Sequence, residues 1–121
     1  MKDKSYMETI HDHKREMEAL QELPDAEQLR RLGRLFAVIG DPTRVKLLYT
    51  ISKSDICVSA LCVALNMEQS AVSHQLRILR DAKLLGCRRE GKTMVYFIAD
   101  DHVRKILEMA QEHLAEEGEE K

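Results

Sequence analysis

Two imidazoles and two carboxylates in the stretch "DDHVRKILEMAQEHLAEE", residues 100–117, have the types and the spacing to hold a metal ion. A helix turns about 100° and rises about 1.5 Å per residue, so His102 and His113 fall within about 20° of one meridian but about 16 Å apart along it. They share a face and cannot share an ion. His113 and Glu116, three residues apart, are neighbours on that face. Asp100 and His102 converge when Asp100 sits in the irregular first turn, where an N-cap aspartate is favoured. Each helix therefore carries two half-sites. A second copy running antiparallel brings Asp100 and His102 of one chain to His113 and Glu116 of the other, giving two four-ligand sets about a two-fold axis. Such a set suits a tetrahedral divalent ion, Zn(II) above all. The same residues also suit an exposed, charged, amphipathic helix, and spacing alone leaves both readings open.

A second group of residues could contact nucleic acid. From Ser70 to Lys92 there are six Lys or Arg against two Asp or Glu, whereas Asp100 to Lys121 has eight acids against three bases. The formal net charge of −2 hides this local basic stretch, which is the footprint expected for phosphate contact. In "MEQSAVSHQLRILRDAKLL" the residues Val72, Leu76, Leu79 and Lys83 form one helical stripe. Val72, Leu76 and Leu79 are expected to face a core. Gln69, Ser70, Ser73, His74 and Arg77 fall on the other side, short polar groups before a longer cation, as a helix entering the major groove needs.

Residues 1–23 carry a weak helical pattern (Met7, Ile10, Met17, Leu20) with many charges, and form an arm, partly ordered, that ends near Pro24. "DAEQLRRLGRLFAVIG" places Leu29, Leu32, Leu35, Phe36 and Ile39 at helical spacing and closes at Gly40. Asp41 is an N-cap and Pro42 the first residue of the next helix. After a short "DIC" segment, Ser59 caps a brief helix, "ALCVAL", which stops at Asn66, a residue able to take the left-handed conformation. A short helix, a tight turn and the 69–81 helix make a helix-turn-helix. "LLGCRREGKTMVYFIA" then alternates as strand, with Glu90-Gly91 as the hairpin turn and Arg88, Arg89 and Lys92 at its tip, three flexible cations expected to contact DNA phosphates. The fold class is mainly α with a small β-hairpin wing. Domains are the arm, a winged-helix DNA-binding and dimerisation domain over 24–117, and an acidic tail over 118–121.

Composition narrows the class. With 121 residues at 44% hydrophobic content, the chain has one domain's worth of core, and 2 Pro, 5 Gly and no Trp favour helix. No apolar run approaches the roughly 20 residues of a membrane span, and the first residues lack a signal peptide's apolar core. Cys57, Cys62 and Cys87 are an odd set without scaffold spacing, which agrees with a reducing cytoplasm. Four protein ligands describe a closed site rather than the open position a zinc hydrolase needs, so no enzyme is expected.

These motifs together resemble the ArsR/SmtB family of bacterial metal-sensing repressors, over roughly residues 28–117. The carriers are "FAVIGDPTRVKLL", "DICVSAL", "SAVSHQLRILRDAKLL", the wing "REGKTMVYF" and the terminal D-x-H…H-x-x-E. The resemblance implies a homodimeric, cytoplasmic winged-helix repressor of double-stranded operator DNA, with no membrane and no small organic substrate as partner. It implies that Zn(II), or Co(II), binds Asp100, His102, His113 and Glu116 between the two terminal helices and weakens the grip on DNA. Some members carry a second, soft-metal site in a C-V-x-D stretch with N-terminal cysteines. Here Ala60 stands where the acid would be and no cysteine precedes Cys57. That leaves His11, His13, Cys57 and Cys62 as a variant second site or thiol-oxidation centre, against the plainer role of buried small hydrophobes for the cysteines. Glu68 also replaces the Ser usual at the recognition-helix cap.

Overall fold

The computed structural model describes residues 10–119, with side chains from 13 to 117, and these fall into two compact units, one ending at Arg34 and the other beginning at Leu35. In the first, helix α1 (Ile10–Leu20) closes through three successive i to i−3 bonds, from the N–H groups of Gln21, Glu22 and Leu23. Met17 and Leu20 of its weak stripe are exposed, and Met7 lies outside the described residues. After Pro24 the chain restarts with a reciprocal cap. Asp25 Oδ1 accepts from the Gln28 N–H at 2.8 Å, while Gln28 Oε1 accepts from the Asp25 N–H at 3.3 Å.

Helix α2 (Ala26–Ile39) runs across the boundary between the units. Its periodicity is as expected, but none of its residues is buried, and Phe36 is 61% exposed. The apolar stripe of Leu29, Leu32 and Phe36 is therefore exposed rather than core among the described residues.

The second unit is organised around helix α3 (Pro42–Lys53). Asp41 caps it by accepting from the Arg44 N–H at 3.1 Å, with Pro42 in the first turn, where a missing N–H costs nothing. Leu47, Leu48 and Ile51 are wholly buried. The "DIC" segment contains a strand that periodicity does not reveal, β1 (Ile56–Cys57). Because β1 keeps the backbone extended through Cys57, helix α4 (Val58–Leu65) begins at once, with Cys57 at the cap position. Ser59 is inside the helix and does not cap it. Asn66 ends α4 in the left-handed region (φ 53°), and the Met67 N–H reaches back to the Cys62 carbonyl at 3.0 Å.

Helix α5 (Gln69–Asp81) buries Val72, Leu76 and Leu79 as expected. Lys83 departs from the expected stripe. The helix has already ended, Lys83 is left-handed (φ 65°), and the Leu84 N–H closes the turn onto the Leu79 carbonyl at 3.0 Å. Strands β2 (Leu85–Glu90) and β3 (Thr93–Ile98) form the wing, and β1 adds to β3 to give an antiparallel sheet of order β1-β3-β2. The expected hairpin turn at Glu90-Gly91 shifts by one residue. Glu90 still pairs with Thr93, so the two loop residues are Gly91 and Lys92, with positive φ (66°) at Gly91 alone, as a type II′ turn requires. Helix α6 (Asp101–Glu119) is capped by Asp100, whose Oδ1 accepts from the Val103 N–H at 3.3 Å. Val103 and Leu107 join the core with Leu61, Leu84, Leu85 and Ile98.

Leu76→Ala should cost about 2–5 kcal/mol of unfolding free energy in urea titrations at fixed protein concentration. Val63→Ala, at a side chain 82% exposed, should change it by no more than about 0.5 kcal/mol.

Candidate functional site

Burial of Val72, Leu76 and Leu79 rotates the rest of α5 outward. Gln69, Ser70, His74 and Arg77 are exposed, and Ser73 is half-buried at the edge of the same face. Glu68 precedes the helix without a side-chain bond to it, so the first N–H groups of α5 are not capped by that residue. Gln75 is not on the open face. Its Oε1 accepts from Arg44 Nη1 at 3.2 Å, while Arg44 Nε donates to the Val38 carbonyl at 2.6 Å.

The wing cations divide into two kinds. Arg88 donates through Nη1 to Asp55 Oδ2 at 2.9 Å and through Nε to Glu90 Oε2 at 2.7 Å. Its guanidinium lies 5.6 Å from the centre of the Phe97 ring, and that ring packs on Gly86, where a Cβ would meet it at 2.6 Å. The Asp55 carboxylate first, and Glu90 after it, raise the Arg88 pKa above the ordinary guanidinium value. Arg89 and Lys92 are exposed and, among the described residues, form no ion pair.

The metal half-sites sit on α6. His102 Nδ1 lies 3.4 Å from Asp100 Oδ1, and His102 is 87% exposed. His113 and Glu116 are exposed further along the helix, on the stretch from Glu108 to Glu117 in which every residue is exposed and Gln111 bonds to the Tyr49 hydroxyl. One chain does not bring the two pairs together, and among the described residues no three His, Cys, Asp or Glu side chains converge.

Of the variant second site, the His11 side chain lies outside the described residues, His13 belongs to the first unit, and Cys57 and Cys62 to the second. All three cysteines are half-buried free thiols. Cys57 Sγ lies 3.3 Å from Ser59 Oγ, and that hydroxyl, followed by the Ala60 N–H, lowers the thiol's pKa. Cys62 instead packs on the core.

Four residues with a structural part in this arrangement escaped the reading of sequence: Arg44, Tyr49, Asp55 and Arg104. Each has a partner distant in the chain, at Gln75, Leu107, Arg88 and Ser52 respectively. Only Arg44 carried a local signal, being the third residue after an N-cap aspartate.

A short helix and a turn leading into an outward-facing polar helix, followed by a basic hairpin, define a winged helix-turn-helix protein. A family model described as "Bacterial regulatory protein, arsR family" matches residues 41–85. The chain is 36% identical over 95 residues to the transcriptional repressor SmtB homolog of Synechocystis sp., covering 78% of this chain and 72% of that one. It is 31% identical over 86 residues to the cadmium resistance transcriptional regulatory protein CadC homolog of Staphylococcus aureus, covering 70% and 71%. The crystal structure of the AntR antimony-specific transcriptional repressor superposes with a TM-score of 0.69 at 33% identity, covering 85% of this chain and 95% of that one. The chain belongs to the arsR family of bacterial regulatory proteins, as its motifs implied.

Alkylation of Cys57 by iodoacetamide, followed against pH by peptide mass spectrometry, should reach half its limiting rate below the ordinary cysteine range, because the thiolate is the nucleophile. In Ser59→Ala the midpoint should move up. Equal midpoints would show that the hydroxyl does not hold the thiolate.

Proposed function

We propose that the chain is a metal-responsive transcriptional repressor that binds operator DNA as a homodimer and releases it when Zn(II) or Co(II) occupies its terminal helices. The observation that carries this reading is the division of donors along α6. Asp100 and His102 are 3.4 Å apart at its start, and His113 and Glu116 lie about 16 Å further on, so either pair completes a four-donor set only from a second chain. Phe36 on α2 and Met109 and Leu114 on α6 are large apolar side chains left exposed in one chain, and they supply the surface for that pairing. The donors fit the ion: two imidazoles and two carboxylates, all solvent-accessible, with His102 oriented by the carboxylate beside it. A bound ion supplies a cross-link between the two terminal helices. Relatives named for cadmium resistance and for antimony support a metal signal as such.

On the DNA side, Gln69, Ser70, Ser73, His74 and Arg77 approach base edges and nearby phosphates. Two copies of α5 must match half-sites about 34 Å apart, one duplex turn. The wing contributes affinity rather than sequence choice, since flexible cations contact phosphates. Arg89 and Lys92 carry that role, while the fork of Arg88 is taken up by Asp55 and Glu90.

A second reading rests on Cys57, whose thiol pKa is lowered by the Ser59 hydroxyl and the Ala60 N–H. In it, oxidation or a soft metal at Cys57 and Cys62 releases DNA. Comparing Cys57→Ser with His102→Ala separates the two: the reading whose variant loses the response is the correct one.

His102→Ala and His113→Ala should stay dimeric in analytical ultracentrifugation, bind a duplex selected by the wild-type chain from a random pool, and ignore zinc. Release of either variant at the wild-type zinc concentration would remove these residues as the sensor. On the same duplex, Arg77→Ala should cost about 1–3 kcal/mol. Arg89→Ala with Lys92→Ala should weaken selected and random DNA alike and flatten the salt dependence, whereas Arg88→Ala should leave the salt slope near wild type.

A further inference from the structure

Helix α6 is held to the body of the second unit by few contacts. Val103 and Leu107 are its buried side chains, and from Glu108 to Glu117 every residue is exposed. Two polar clamps supplement them, and both end on α3. Arg104 donates through Nε and Nη2 to the Ser52 carbonyl, at 3.3 and 3.2 Å. That carbonyl is one of the last four of α3, which have no partner within their own helix, and a cation is favoured at the negative end of the helix dipole. The Tyr49 hydroxyl lies 2.8 Å from the Leu107 carbonyl oxygen and 2.8 Å from the Gln111 side-chain amide.

The clamps are placed beside the half-sites. Arg104 stands two residues after His102, and Gln111 two residues before His113. A shift of α6 that closes either donor set on a second chain therefore pulls on α3. The opposite end of α3 is bonded in turn to the recognition helix. Arg44 takes the Val38 carbonyl in the last turn of α2 with Nε and Gln75 of α5 with Nη1. Gln75 sits between His74 and Leu76, so its side chain is anchored inward while its neighbour His74 faces out.

We propose that α3 is the rigid link through which the state of the α6 donors reaches the recognition helix, with Arg104 and Tyr49 as positioning residues at one end and Arg44 at the other. This rests on the metal-responsive reading above. None of the three belongs to the proposed DNA-contacting residues or to the proposed metal donors. Their effect is on the coupling between the two binding events, a quantity distinct from either affinity. Loss of a clamp lets α6 close on its partner without moving α5, so zinc binds as before and DNA no longer responds.

The test uses the full chain, zinc chloride, and a duplex selected by the wild-type protein from a random-sequence pool. Fluorescence anisotropy gives the DNA dissociation constant with and without saturating zinc, and competition with a chromophoric chelator gives the zinc affinity of the free protein. In the wild type zinc should weaken DNA binding by about tenfold or more. In Tyr49→Phe and in Arg104→Met that ratio should fall to a third or less of the wild-type value, and in the double variant to within about twofold of unity. Zinc affinity and metal-free DNA affinity should each stay within about threefold of wild type, which a merely unfolded or loosened protein would not preserve. Arg104→Lys, which retains a donor, should recover part of the ratio. If Tyr49→Phe does not fold, Gln111→Ala removes the exposed partner of the same clamp and should lower the ratio in its place. A wild-type ratio in the double variant overturns the inference and leaves the metal reading standing. A ratio of one or below in the wild type itself overturns the metal reading, and this inference with it.

Discussion

Val72, Leu76 and Leu79 are at most 1% exposed, and the core they enter is shared with Leu47, Leu48 and Ile51 of α3. Full burial of such a side chain stabilises by about 1.5–3 kcal/mol, so turning this face outward would forfeit a large part of a small domain's stability. With about 100° between successive residues, the choice leaves Ser70, His74 and Arg77 no direction but outward. The polar face of the recognition helix is thus set by its apolar face, and its orientation is measured from α3. The terminal helix is referred to the same element through Tyr49 and Arg104. The surface proposed to meet DNA and the helix that carries the proposed donors share one support.

Apolar surface is used in two ways. Inside the second unit it is spent on the small core, where Leu47, Leu48, Ile51, Leu61 and the inner face of α5 are fully covered. On α2 and on the far half of α6 it is left open, at Leu29, Leu32, Phe36, Met109 and Leu114. A stripe of that kind in water calls for a further surface. The proposed two-fold pairing covers it and completes the donor sets in the same step, so dimer formation and the capacity for metal become one event.

The wing shows how a cation can serve structure rather than contact. Arg88 spans from Glu90 on its own strand to Asp55 ahead of β1, passing over Phe97. The pairs are half-exposed and each contributes little alone, but together with the ring they join the outer strand of the hairpin to the start of the helix-turn-helix. A Cβ at Gly86 would meet the Phe97 ring at 2.6 Å, so a side chain there displaces the ring from beneath Arg88.

What the sequence determined by itself was whatever depends on neighbours a few residues away. Asp41 and Pro42 start α3, Asn66 ends α4, the 72-76-79 spacing sets the face of α5, and the alternation after Cys87 makes a hairpin, because caps, turns and periodicity are short-range physics. The separation of His102 from His113 also followed from helix geometry alone. Tertiary structure decided the rest. A two-residue strand such as β1 has no period to read and exists because β3 is beside it, and its pairing is what moves the α4 cap from Ser59 to Cys57. Lys83 left its stripe because Leu84 is drawn into the core, and a non-glycine residue bears the left-handed turn to allow it. The partners of Arg44, Arg88 and Arg104 lie 31, 33 and 52 positions away, at a range where composition and spacing carry no information and only folding brings donor to acceptor.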